Sequence, residues 1–208
     1  MSGKKKLSGP SDKALRELLI RYQCPTPFHA VRTRFLGQIA SPKISVSPMK
    51  AVQDLWGGKM PEFEDEASVR GLIEGLVNGL WNRLTQHQSQ RHPFHLTRMS
   101  PPVDALTFAR YTRVRCEELD GFFDGLFGDD TAMDLPETAH QAMTVLGDVR
   151  DFMGGMSRFS GDDNLQDDIE VTSKQLVELS RIAEHELSAL LISCVKARRD
   201  ALDREQFH

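Results

Sequence analysis

Apolar residues recur three and four positions apart along most of the chain, and strict alternation with period two is almost absent. The first spacing stacks side chains on one face of an α-helix, whereas the second would mark a half-buried strand. The pattern therefore predicts an all-α protein. Ser11 is placed to cap a first helix whose Leu15, Leu18, Leu19 and Tyr22 share a face. Thr26-Pro27 and Ser47-Pro48 repeat that start signal, with Pro at the first helical position. Phe28, Val31, Phe35 and Ile39 form the face of the second helix; Val52, Leu55 and Trp56 follow in the third, which Gly57-Gly58 ends.

Glu64, Asp65 and Glu66 suit the positive end of a further helix dipole, and that helix is predicted to reach about Gln88. The stretch "SQRHPFHLTRMSPPV" reads as a loop because its prolines interrupt any helix. Helices are predicted again from about 104 to 127 and from about 137 to 153. The last helix carries Leu176, Leu179, Ala183, Leu190, Cys194 and Ala197 on a narrow seam. Such a seam should bury against one or two neighbours, which makes this helix the most detachable element and a place for a partner helix to dock.

The segment 69–84, "VRGLIEGLVNGLWNRL", has the most regular pattern and also three glycines four residues apart, Gly71, Gly75 and Gly79. Each should cost a helix interior about 1 kcal/mol relative to Ala. On a helical wheel its apolar residues cover about half the circumference, which predicts a central helix packed on most sides. A row of small residues lets another backbone approach closely, and the closer packing offsets the lost propensity. Gly121 and Gly125 in "LDGFFDGLFG" repeat the spacing. The expectation is that these two helices cross within one chain. A homodimer seam and locally unwound backbone serving a ligand are the alternatives.

Composition changes this picture little. The chain has 208 residues, 39% hydrophobic and 27% charged, which suits one sizeable core. A net charge of −4 gives no global field for nucleic acid or anionic membrane, so nucleic acid is an unlikely partner. Lys4-Lys5-Lys6 reads as a solvated tail. Cys24, Cys116 and Cys194 are odd in number and far apart, which argues against a zinc finger or a disulfide framework. With neither an apolar signal segment nor a membrane span, the expected location is cytoplasmic.

Trp56-Gly57-Gly58, Pro61-Glu62-Phe63 and the acidic start Glu64 to Glu66 follow a Ser-Pro-started helix. In this order they resemble the YecA/YgfB-like family of bacterial all-helical proteins, and "GFFDG" at 121–125 is similar to a later helix of that family. The likeness covers about residues 28–84 and, more weakly, 105–128, with Trp56, Gly57, Gly58, Pro61 and Phe63 as the motif residues. Two features depart from it. "HAVRTRFLG" stands where members begin a helix with Leu-Asp-Gly-Phe, and the cysteines of the zinc-binding tail of many members are missing. The resemblance thus implies a short member, acting through contacts with other proteins.

Candidate chemistry is sparse. Glu137-x-x-His140 has the spacing of a di-iron ligand pair, but a second such pair is missing, and Glu184, His185 and Glu186 are adjacent rather than on one face. His87, His92 and His95 cluster about the proline-rich loop with Arg91 and Arg98 and read as a solvated group, with a metal or phosphate contact as the alternative. Cys116 has no adjacent base, and Asp120 with Asp124 reads as a solvated edge. No Gly-x-Ser-x-Gly, phosphate-binding glycine loop or His-Glu-x-x-His occurs.

The sequence thus predicts one helical bundle of about six or seven helices: a basic tail over 1–10, a core over 11–156, a polar connection over 157–168 and a long helix over 169–208 packed on the core. Function is expected to be a non-enzymatic interaction or regulatory role with a protein partner and no cofactor. The alternative is a metal-binding protein or enzyme using Glu137, His140 and His185.

Overall fold

The computed structural model describes residues 9–43, 47–130, 133–159 and 169–206, with the side chains of 158, 159, 205 and 206 excepted. The lysine run of the tail and most of the polar connection lie outside these residues. The described residues form helices and no strand. They are α1 (Asp12–Arg21), α2 (Phe28–Ala40), α3 (Pro48–Asp54), α4 (66–84), α5 (Ala105–Phe127), α6 (Glu137–Phe159) and α7 (Ile169–Gln206). No described helix is long and apolar enough to cross a membrane.

Two of the three start signals act as expected. The Ser11 hydroxyl accepts from the Ala14 N–H, and Pro48 opens α3. Pro27 sits one position earlier than predicted, as the N-cap of α2. Gly57 and Gly58 adopt φ of +69° and +88°, where a side chain would be strained, so the chain turns there. The Trp56 indole then donates to the Tyr22 carbonyl (2.8 Å), and Phe63 packs on the Tyr22 ring at 5.1 Å. The motif from Trp56 to Phe63 thus docks the α3–α4 turn on the end of α1.

The helix at the centre is α2, not α4. Nine residues of α2, from Phe28 to Ala40, are buried. Its main neighbour is α5; α5 packs on α6, α6 on α7, and α7 returns to α2, closing a four-helix group. The α1 and α4 helices also pack on α2, and α3 packs on α4. The α4 helix buries one face through Leu72, Leu76, Leu80, Trp81 and Leu84, while Arg70, Gly71, Glu74 and Asn78 are exposed. Its middle is not α-helical. Glu74–Trp81 is a π-helical segment between Glu66–Ile73 and Asn82–Leu84, followed by a 3₁₀ turn over Thr85–Gln88.

The expected crossing of α4 with α5 is replaced by a crossing of α2 with α5. A methyl on Gly121 would lie 2.6 Å from the Ala30 carbonyl oxygen, and one on Gly125 would run into the Arg34 carbonyl. Gly37 of α2 answers from the other side, where a methyl would lie 2.7 Å from the Leu126 nitrogen. The α4 row meets side chains instead: Gly75 faces the Leu15 and Leu18 side chains, Gly79 faces the Pro10 ring, and Gly71 faces open space.

The last helix is also a correction. Leu187, Leu191 and Val195 widen its predicted seam, and it touches α6, α2, α5 and the 3₁₀ turn. Arg198, in the charged last turns of the helix, donates to the Ser41 carbonyl at 2.8 Å. The helix is an integral wall of the core rather than a loosely attached arm.

Candidate functional site

The proline-rich stretch from Pro93 to Met99 is not a solvated loop. Phe94 and Leu96 are buried, and the chain runs as a strap across α2, α5 and α7. An extended strap inside a helical protein has no strand to pair with, so its backbone groups need side-chain partners. Glu184 of α7 accepts from the Leu96 N–H (2.9 Å) and pairs with His95 Nδ1 (3.0 Å). Arg32 of α2 donates to the His95 carbonyl (2.9 Å), with its guanidinium over the Phe94 ring. Burial lowers the Arg32 pKa from its ordinary value, an effect that Glu118 opposes.

Thr97 is held from both ends by a fully buried ion pair. Glu118 accepts the Thr97 N–H through Oε1 (2.7 Å) and the Arg115 guanidinium through Oε2. Arg115 also donates to the Thr97 carbonyl (2.8 Å) and to Ser180 Oγ (3.0 Å). Ser180 passes its proton to the Leu176 carbonyl, which makes Tyr111 the donor in its 2.8 Å bond to Ser180. Such a pair costs desolvation, which only a full set of hydrogen bonds offsets. Here the set includes the backbone of the strap, so the pair fixes Arg98 and Met99 in place.

Beside this anchor opens a cleft of about 570 Å³ lined by Arg16 of α1, His29 of α2, Thr97, Arg98 and Met99 of the strap, and Arg110, Arg113, Val114 and Glu117 of α5. Its four arginines are exposed and form no ion pair among the described residues. Glu117 is the sole carboxylate of the lining, and His29 Nε2 already holds it at 2.6 Å. In two other concavities every lining Lys and Arg is already paired. One of about 210 Å³ contains the pairs Lys43–Asp130 and Lys50–Asp54. One of about 410 Å³ contains His95–Glu184, and its Arg181 pairs with Glu178. Of the three, the cleft over α5 is the one whose unpaired charges are cationic, and it can hold an anion.

Leu106, Arg110, Arg113 and Glu117 form one stripe of α5, at spacings of four, three and four. The Asp104–Thr107 capping box fixes where the helix begins. Leu106 and Val103, at its start, are 80% and 75% exposed. Ile20, one turn beyond Arg16 on α1, is 76% exposed. The cleft thus has a cationic lining, and the helix faces that carry Arg110 and Arg16 continue into exposed apolar residues. "RYTRVR" at 110–115 was the local sequence signal for it, a dense basic run in an acidic chain. Sequence reasoning reached Arg98 but not Arg16, Arg110 or Arg113.

The residues singled out from the sequence do not assemble a metal site. Glu137 accepts from Gln141 (2.9 Å), His140 is exposed on the first turns of α6, and His185 lies on α7 beside the strap. Among the described residues no group of three or more His, Cys, Asp and Glu is arranged to hold a metal ion. His87, His92 and His95 are likewise separate. His87 Nδ1 donates to the His92 carbonyl (2.8 Å) with its ring against Phe94, and burial chiefly lowers its pKa. His92 is exposed, and His95 belongs to Glu184. Burial raises the Cys24 and Cys116 thiol pKa and pushes Cys194 up to about 11, so all three are protonated near neutral pH. Asp120 ties α5 to α6 through Arg150 Nε (2.8 Å), and Asp124 is exposed. Set against known protein families, curated proteins and solved structures, the chain finds no match in any of the three.

Proposed function

We propose that this is a non-enzymatic cytoplasmic protein with an interaction or regulatory role, and that the arginine-lined cleft is its contact face for a protein partner. One observation carries the reading: four exposed arginines converge on a single concave site, in a chain of net charge −4, without a free carboxylate to match them. Charge placed this way acts on association with a partner more than on fold stability. The protonated thiols and the dispersed histidines support a binding role over a catalytic one. The proposal includes kinship with the short YecA/YgfB-like proteins, which rests on the turn motif from Trp56 to Phe63 that docks on Tyr22.

The test is paired affinity capture from the native host, with wild type and an Arg110→Glu/Arg113→Glu variant as baits. Both residues are exposed, so the variant should keep its fold, which circular dichroism checks. The expected outcome is loss from the variant of proteins that the wild type retains. Identical captured proteins at equal yield would remove the cleft from consideration as the contact face.

A further inference from the structure

We infer that the segment seated in the cleft is an acidic stretch of protein flanked by apolar side chains. The inference rests on the cleft being the contact face. Arg16, Arg98, Arg110 and Arg113 come from three separate elements and surround one space. Guanidinium groups match carboxylates through paired hydrogen bonds, and each unmatched arginine can take one. Met99 and Val114 give the wall an apolar patch, and the thioether adapts to the shape it meets. Leu106 and Ile20 each stand one turn from a lining arginine on its own helix, and a free anion would leave them in water. A peptide covers both kinds of surface together.

Nucleic acid is the less suitable polyanion. Its affinity comes from neutralising many phosphates along a track. Here the converging positive charge is four arginines around one cleft, in a chain of net charge −4, and screening limits its reach to about 8 Å at physiological salt. Binding of single strands also uses aromatic platforms for bases, and the lining includes no Phe, Tyr or Trp. Pre-organisation favours a short, defined segment. The buried Arg115–Glu118 pair holds the strap that carries Arg98, so that backbone need not order on binding.

Fluorescence anisotropy on the full chain tests this with two labelled synthetic peptides of equal length. One has Glu residues between flanking Leu residues; in the other Gln replaces each Glu. An unlabelled single-stranded oligonucleotide and pyrophosphate serve as competitors. The acidic peptide should bind at least about tenfold more tightly than its Gln counterpart and lose about tenfold in the Arg110→Glu/Arg113→Glu variant. Leu106→Ser, a change at an exposed site, should weaken it several-fold, whereas a purely ionic contact would not respond. Equal binding of the two peptides, stronger competition by the oligonucleotide or pyrophosphate than by unlabelled acidic peptide, or indifference to Leu106→Ser would each overturn the inference. If the captured proteins still depend on Arg110 and Arg113 in that event, the contact face stands and only the chemistry of its occupant is wrong.

Discussion

Gly71, Gly75 and Gly79 of α4 share their four-residue spacing with Gly121 and Gly125 of α5, yet an added methyl would meet different surroundings in the two rows. On α5 it would strike the backbone of α2, which answers with its own Gly37. On α4 it would meet a proline ring, two leucine ends or nothing. The α5 row therefore fixes the distance between two helix axes, whereas the α4 row faces no other helix backbone and, at Gly75, only the movable ends of leucine side chains. Spacing alone does not distinguish these cases, because a glycine row permits close approach without requiring it. What decides is whether the facing surface is itself small.

The comparison predicts its largest effect at Gly125. Gly125→Ala would place a methyl 2.8 Å from the Arg34 carbonyl carbon and closer still to its oxygen. Neither atom can move without separating α2 from α5, the most extensive helix contact in the protein. The loss should be at least about 3 kcal/mol, larger than ordinary overpacking and opposed only by a helix-propensity gain of about 1 kcal/mol. Thermal and urea unfolding measure it. A midpoint at or above that of the wild type would mean that the two backbones are not in contact.

What was legible in the sequence follows the same division between local and distant causes. Ser11, Ser47-Pro48 and the glycine pair Gly57-Gly58 act on their own neighbours, so their meaning can be read from a few residues. The π segment could not be read, because it shifts hydrogen-bond register without requiring a distinct composition. The strap was misread for another reason: its backbone partners, Glu118 and Glu184, stand 21 and 88 residues from the groups they bind. Arg115 and Glu118, three apart on a helix, look like a surface pair until the strap covers them. The cleft was half visible. Arg110 and Arg113 lie in one basic run, but their significance depends on Arg16 and Arg98 arriving from other elements.

A smaller effect is expected at Gly75, the middle of the α4 row. There an added methyl would lie 2.9 Å from Leu18 Cδ2 and 3.4 Å from Leu15 Cδ2. Both are ends of flexible side chains, so Ala should be accommodated by a small shift of Leu18. Gly75→Leu exceeds that allowance and should cost about 1–3 kcal/mol. Urea melts of the two variants together sharpen the contrast with Gly125. If Gly75→Ala were as damaging as Gly125→Ala, the α4 row would be a rigid contact after all.

The smallest effect is expected at Gly71, with the opposite sign. Gly71 lies in the regular α-helical part of α4, Glu66–Ile73, where it is exposed and an added methyl would meet no atom within 4 Å. Positive φ occurs at Gly57, Gly58 and Gly128 but not at Gly71, so its backbone conformation suits any residue. With no strain and no clash, only the intrinsic preference remains, and Ala is better than Gly in a helix interior by about 1 kcal/mol. Part of that gain comes from the unfolded chain, which has fewer conformations to lose once Ala is present. Gly71→Ala should therefore raise the urea midpoint with an unchanged slope, since the surface exposed on unfolding is nearly the same. Destabilisation instead would mean that something covers Gly71 in solution. Its dependence on protein concentration would then identify a second copy of the chain, because a dimer seam weakens on dilution and an intramolecular contact does not.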